Sequence, residues 1–336
     1  MARLPTITLT ALLAAAAPHA AHAQAAPEKP EIHLAAAGLG FPYLPFMVAS
    51  QRGSFREEGL AVRIAVFQGG AKALEALLGG SADVVAGAYS NTITMGAKGQ
   101  KLVAFAIQAD CPDWVFGVTR KSAGAIRSVA DLVGKRIGVS SPGSSFHMGV
   151  NYLLTRAGLK PSDVSIIGIG SSSGAVAAAR AGLVDALMVN DPVATILMAS
   201  GDLHPLVEMR TQGGNRAAFG GDYTEAAMYT TKRFAEANPR TVQAVANAIV
   251  KAERWLATAT AEDVAQSVPP DYVTADKAVF AEAFRHVRCL SRDGRMTSEA
   301  AKTVLDVLTA FDPVLGAAKV DLGATYDNTF VERAPK

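Results

Sequence analysis

A chain of 336 residues, half of them hydrophobic, is long enough for two domains of about 150 residues or one large α/β unit. A net charge of +2, with no basic cluster and no interleaved aromatic residues, argues against a nucleic-acid-binding surface. Abundant alanine and evenly spread charge argue against a long disordered region.

The chain opens with a targeting pattern. Arg3 supplies a positive start, and Ile7 to Ala17 an apolar run too short to span a bilayer. Ala21-His22-Ala23 fits a small-residue cleavage site, which makes residues 1–23 a signal peptide and Gln24 the first mature residue. No cysteine follows the cleavage site, so no lipid anchor is indicated there, and no later run is apolar enough to span a membrane. The expectation is a soluble exported protein, periplasmic in a Gram-negative cell. Cys111 and Cys289 are the only cysteines. An oxidising compartment permits their pairing, but two cysteines make no framework, and two buried free thiols are the simpler expectation.

In the mature chain, 31–37 reads as a strand. The turn Gly38-Leu39-Gly40-Phe41-Pro42-Tyr43 imitates a dinucleotide fingerprint, but Tyr43 replaces the third small residue and Pro42 disturbs the turn, so a Rossmann cofactor site is not expected. A helix over 45–52, a strand over 61–67, a helix over 71–78, a strand over 82–86, a helix up to Gly96 and a strand over 101–107 follow. Trp114 to Thr119 is extended. The plan then repeats: strand 135–139, helix 148–157, strand 164–169, a helix ending near Ala181, strand 186–189, a helix stopping at Gly201, strand 203–208. Gly80-Ser81-Ala82-Asp83 and Gly182-Leu183-Val184-Asp185 mark corresponding points, each before an apolar strand. Residues 211–221 are glycine-rich without periodicity, and 226–231 is extended again. Helices are expected over 238–256, 261–267, 274–287 and 297–311, the last ended by Asp312-Pro313.

Two βαβ lobes of one plan, joined by two extended crossings, follow from this repeat. The boundaries are 24–114 and 227–336 for lobe one, which also takes the C-terminal helices, and 115–226 for lobe two. Hinges are expected near 114–118 and 224–229.

The turn Ser140-Ser141-Pro142-Gly143-Ser144-Ser145 joins a buried strand to a helix. Free N–H groups at a helix start, beside serine hydroxyls, favour an anion. The same serines also read as simple helix caps. If an anion binds there, a carboxylate placed at Ser145 should leave stability unchanged or slightly raised while blocking the ligand.

Several stretches, taken in order, resemble one family. They are Phe67-Gln68-Gly69-Gly70 before Leu74-Glu75-Ala76-Leu77, Gly80-Ser81-Ala82-Asp83, Asp131-Leu132-Val133-Gly134-Lys135, Gly143-Ser144-Ser145 with His147, and Asp191-Pro192. The mature chain resembles the periplasmic solute-binding proteins of ABC transporters, in the subfamily that handles alkanesulfonates, taurine, nitrate and thiamine pyrimidine precursors. Asn190 stands where many relatives carry an aromatic residue. The resemblance implies a bilobed, type II-like α/β fold, a small-molecule ligand between the lobes, a membrane permease as partner, a monomer and no cofactor.

Strand tips then nominate the ligand-binding residues. Lobe one offers Leu39, Phe41, Tyr43, Gly70, Tyr89, Ser90, Asn91, Gln108 and Asp110; lobe two offers Ser141, Gly143, Ser144, Ser145, Ser172, Asn190 and Asp191. No arginine is read at these tips, and Lys72 is the only lysine nearby, so an anion would be held by N–H and hydroxyl donors. Phe41, Tyr43 and Tyr89 would wall a ring-shaped part, and Asp110 or Asp191 would pair with an amino group or cap a helix. The expected ligand is a small organic anion.

Two enzymatic readings compete. Gly170-Ser171-Ser172-Ser173-Gly174 has the form of a nucleophile elbow, with Asp185, Asp191 or Asp202 and His204 or His286 in the required order. An enzyme making a thiamine pyrimidine precursor shares the fold family, but an export signal sets it in the wrong compartment. No His, Cys or acidic cluster has metal-ligand spacing.

Overall fold

The computed structural model describes residues 26–269, 277–287 and 289–335. The expected signal peptide and its cleavage site lie outside the described residues.

The first part of the chain forms β1 (Glu31–Ala36), α1 (Leu44–Gln51), α2 (Ser54–Glu57), β2 (Ala61–Val66), α3 (Gly70–Leu78), β3 (Val84–Ala88), α4 (Ser90–Ala97) and β4 (Leu102–Ile107). The middle forms β5 (Trp114–Thr119), β6 (Arg136–Val139), α5 (Ser145–Arg156), β7 (Ser165–Gly168), α6 (Ser173–Arg180), β8 (Ala186–Asn190), α7 (Val193–Ala199), β9 (Leu203–Met209) and α8 (Gln212–Phe219). The remainder forms β10 (Ala226–Thr231), α9 (Lys232–Ala237), α10 (Pro239–Leu256), α11 (Ala261–Gln266), α12 (Lys277–His286), α13 (Ser298–Thr309), α14 (Pro313–Ala317) and α15 (Thr329–Glu332).

These strands make two five-stranded sheets, ordered β2-β1-β3-β10-β4 and β7-β6-β8-β5-β9. The orders match position by position, so the sequence repeat is a repeat of sheet topology. In each sheet the first three strands run parallel, and the fourth is inserted antiparallel: β10 between β3 and β4, β5 between β8 and β9. The central strands are continuous apolar runs buried on both faces, while β2 is an exposed edge.

The Gly-x-x-Asp repeat has a structural cause. Asp83 Oδ2 accepts from the His33 N–H (2.9 Å) and the Asp83 N–H donates to the His33 carbonyl (2.8 Å). Asp185 does the same with Arg136, at 2.9 and 2.8 Å. The two aspartates thereby lock the start of β3 to β1 and the start of β8 to β6.

Both extended segments exist, but each is hydrogen-bonded on both sides within the sheet it enters. The chain therefore passes between the sheets just before each of these strands, over 108–113 and 210–225, at the carboxyl ends of the neighbouring strands.

Several expectations change. The 211–221 stretch is helical over α8, because Thr211 caps it, accepting from the Gly214 N–H, and Gly220 ends it in the left-handed conformation at φ +79. Helix α5 starts at Ser145 rather than Met148, and α9 was not expected. Asp312-Pro313 stops one helix and starts another, since Asp312 caps α14 by accepting from the Val314 and Leu315 N–H groups (both 3.0 Å). Of the C-terminal helices, α10 packs on α1, α2 and β4, but α12 also reaches α7 and α13 also reaches α5.

The cysteines are not free thiols. Cys111, on the first crossing, is disulfide-bonded to Cys289, with Cα atoms 5.2 Å apart. The sequence pattern could not show this, because 178 residues separate the pair. A β-bridge between Ala109 and Leu290 brings them together.

Candidate ligand-binding site

The rims of the two sheets face and touch. The Phe41 N–H donates to the Asp191 carbonyl (2.9 Å). Gly40 lies so close to Asn190 that any Cβ there would collide with its side-chain amide, and Gly69 stands in the same relation to Ser141. A Cβ at Gly38 would lie 2.8 Å from Ser171 Oγ. Glycines on the first rim thus admit the polar residues of the second.

At the centre of this contact is a residue that strand-tip reading missed. Glu225, just before β10, is buried. Its Oε1 accepts from Ser145 Oγ at 2.8 Å, and both carboxylate oxygens lie 3.3 Å from the Tyr43 hydroxyl. Tyr43 comes from the first lobe and Ser145 from the first turn of α5 in the second. Burial pushes the Glu225 carboxyl up to about 7, against the pull of the Ser145 and Tyr43 hydrogen bonds. Its backbone carbonyl accepts from the Tyr89 N–H (2.7 Å).

The second sheet carries a counterpart. Asp113, just before β5, has φ +57, and its Oδ2 accepts from the Asp191 N–H (3.1 Å). Burial, then the Asp191 charge, raises its carboxyl well above the usual range. Both acids stand on the rim because an antiparallel strand presents its N-terminal end where its neighbours present their C-terminal ends. An acid immediately before an apolar crossing strand was the available signal.

Arg210 corrects the expectation that no arginine lies at the tips. It follows β9, is buried, and donates to Asp191 Oδ2 (3.3 Å), Thr195 Oγ1 (3.2 Å) and Glu208 Oε1 (2.7 Å). Asp191 also caps α7, accepting from the Thr195 N–H (2.9 Å) and hydroxyl (2.7 Å). Of the two roles left open for Asp191, the cap is occupied. Burial still raises its carboxyl, opposed by Arg210 and Thr195.

The other nominated residues divide. Ser144 caps α5, accepting from the His147 N–H at 3.4 Å, and the Gly143 N–H donates to His147 Nδ1 at 3.0 Å, so much of the turn's donor capacity is satisfied internally. Burial lowers the His147 imidazole. No partner for the Ser145 and Phe146 N–H groups is found among the described residues. Phe41 packs edge-on against Phe280 (5.2 Å), and the Tyr89 hydroxyl bonds Thr325 Oγ1 (2.6 Å); both belong to the first lobe's core. Asn91 donates to the Tyr229 hydroxyl (3.0 Å). Gln108 Oε1 accepts from the Phe46 N–H (3.0 Å). Asp110 sits on the crossing, its N–H bonded to the Cys289 carbonyl (2.7 Å), and burial raises its carboxyl to about 6. Gly70 opens α3, and Leu39 packs half-buried on the core.

Among the described residues, four buried side-chain groups on this rim lack a well-aligned partner: Ser90 Oγ, which faces Tyr223, and Gln108 Nε2, Trp114 Nε1 and Ser141 Oγ. Trp114, at the start of β5, packs against Phe146 (5.4 Å) and Tyr223 (5.6 Å). The rim therefore combines a buried carboxyl, unpartnered donors and aromatic walls.

Ser172 precedes α6. Among the described residues no histidine or acid hydrogen-bonds its hydroxyl. His204 lies near the start of β9, at the far end of that sheet, and His286 pairs with Glu282 on its own helix (3.3 Å).

Comparison with known proteins fits this architecture. A curated relative, the putative binding protein YtlA of Bacillus subtilis (strain 168), is 25% identical over 244 residues, covering 70% of this chain and 69% of its own. A solved structure of a protein from Bordetella bronchiseptica RB50 is 43% identical, with a TM-score of 0.89, covering 91% of this chain and 97% of the other. The alkanesulfonate-binding protein SsuA of Xanthomonas axonopodis pv. citri, bound to MOPS, shares the fold with a TM-score of 0.70 and 22% identity, over 89% and 99% of the two chains. So do the periplasmic nitrate-binding protein NrtA of Synechocystis PCC 6803 (0.70, 14%, over 91% and 88%) and the desulfurization enzyme DSZB (0.57, 18%, over 90% and 98%). The fold is that of two-lobed periplasmic binding proteins, and it hosts an enzyme as well. The NMT1/THI5-like family model matches residues 41–262, and the chain belongs to that family.

Proposed function

We propose that the chain is the extracytoplasmic solute-binding component of an ABC importer. It captures a small organic anion with an apolar or ring portion between its lobes and delivers it to a membrane permease, acting as a monomer and not as an enzyme. Residues 24–114 and 227–336 would form one lobe and 115–226 the other. The observation that carries this reading is the meeting of two like rims that together hold buried side-chain donors without partners. The unpartnered N–H groups of α5 and the donors of Ser141, Gln108 and Trp114 suit an acidic group, and Tyr43, Trp114 and Phe146 suit a ring. No helix among the described residues is long and apolar enough to cross a membrane. Export with cleavage after Ala23 completes the proposal.

The test is a thermal-shift panel of sulfonates, nitrate, aromatic carboxylates and thiamine-related pyrimidines. An organic acid should raise the melting temperature in a saturable way. Stabilisation by inorganic ions alone, or by nothing, would contradict the reading. Labelling of Ser172 by a fluorophosphonate would favour a hydrolase instead.

A further inference from the structure

Among the described residues, the carboxyl of Glu225 is the acidic group that bonds side chains of both lobes at the rim. A carboxylate has about four acceptor positions. Glu225 fills them with one good bond, from Ser145, and one long bond shared from Tyr43. No lysine, arginine or histidine among the described residues forms an ion pair with it, and Tyr43, Tyr223 and Tyr229 lie near it. A buried carboxyl without a cation beside it has unmet acceptor capacity. Among the other unmatched atoms at the rim, the Gln108 amide and the Trp114 indole N–H are donors, and the Ser141 hydroxyl is able to donate. One acceptor set against several donors describes a ligand that is acidic at one end and carries a donor at the other.

We propose that Glu225 is a specificity-determining residue: the ligand is a small organic acid that also bears an N–H donor, an amine or a ring nitrogen, and this donor bonds Glu225 where Tyr43 and Ser145 hold it. The proposal rests on the reading of the facing rims as the ligand site and adds the chemistry of the ligand's second end. A purely anionic compound meets a carboxyl at the start of α5. A compound with the added N–H completes that carboxyl's bonding.

The test uses matched pairs of acids that differ by one N–H-bearing group: piperidine-4-carboxylate against cyclohexanecarboxylate, 4-aminobenzoate against benzoate, taurine against ethanesulfonate. Binding is measured by calorimetry on the full mature chain and on Glu225→Gln, with Glu225→Asp as a second variant. The donor-bearing member should bind at least tenfold more tightly in the parent, and Glu225→Gln should reduce that ratio at least fivefold. Equal binding within every binding pair, preference for the donor-free member, or a ratio unchanged in Glu225→Gln would overturn the proposal while leaving the binding-protein reading intact. Binding by none of these acids, nor by any organic acid of the thermal-shift panel, would overturn that reading and the proposal with it. If Glu225→Gln fails to fold, Glu225→Asp carries the same comparison, and equal binding within the parent's pairs overturns the proposal without any variant.

Discussion

Glu225 makes stability depend on pH with a definite sign. Its carboxyl is raised from 4.5 to about 7 on folding, so between those values the folded chain binds more protons than the unfolded one. Its contribution is favourable below about pH 4.5 and is lost as pH rises to about 7. Denaturant melts at pH 5 and pH 8 should show the parent losing more stability than Glu225→Gln, with a difference on the order of 2–3 kcal/mol. Asp110, raised to about 6, acts in the same direction in both proteins and cancels in the comparison. Ser145 provides a second prediction. The dipole of α5 alone would welcome a carboxylate at 145, but Ser145 Oγ lies 2.8 Å from Glu225 Oε1. Ser145→Asp should therefore lower the melting temperature at pH 8, and Ser145→Ala should cost about 1–2 kcal/mol by removing a donor from a buried acid. The helix cap at Ser144 and the polar rim were legible in the sequence. Arg210 follows β9 at its carboxyl end, where the rule that sites lie at the carboxyl ends of strands does point. Glu225 and Asp113 were not legible, because that rule was applied to every strand. The two inserted strands run the other way, so their preceding residues form the rim.

Most strands and helices were legible from apolar periodicity and glycine punctuation. Residues 211–221 were not, because Gly213 and Gly214 mask the cap signals of Thr211 and Gly220 that define α8. The Gly-x-x-Asp repeat was visible as a pattern, and its purpose emerged only with strand pairing. Asp185 accepts from the Arg136 backbone N–H and guanidinium and from the Ser122 hydroxyl. The Arg136 hydrogen bond holds its carboxyl down at about 2. Asp185→Ala should cost about 1–3 kcal/mol at pH 7. For this depressed acid the contribution is present above about pH 3.8 and fades as pH falls toward about 2, so parent and variant should converge in acid. An equal difference at pH 7 and pH 2 would mean that the ionised carboxylate does not hold β8 to β6.

At the scale of the molecule, the repeat announced two like sheets, and the structure returns one strand order twice. The long-range tie was illegible, since nothing in the spacing of Cys111 and Cys289 distinguishes a pair from two buried thiols. That disulfide fastens the first crossing to the C-terminal region. Closing so long a loop restricts the unfolded chain, and replacing both cysteines by serine should lower stability by about 2–5 kcal/mol, read from denaturant melts without reductant. Strands paired on both sides resist bending, so we place the hinge in 108–113 and 220–225, beside β5 and β10 rather than within them. The central claim is that a ligand draws these two lobes together. Small-angle scattering on the mature chain, with and without a saturating amount of the acid that most raises its melting temperature, tests it most directly. The radius of gyration should fall on saturation. An unchanged radius at full occupancy would contradict closure of the lobes around the ligand.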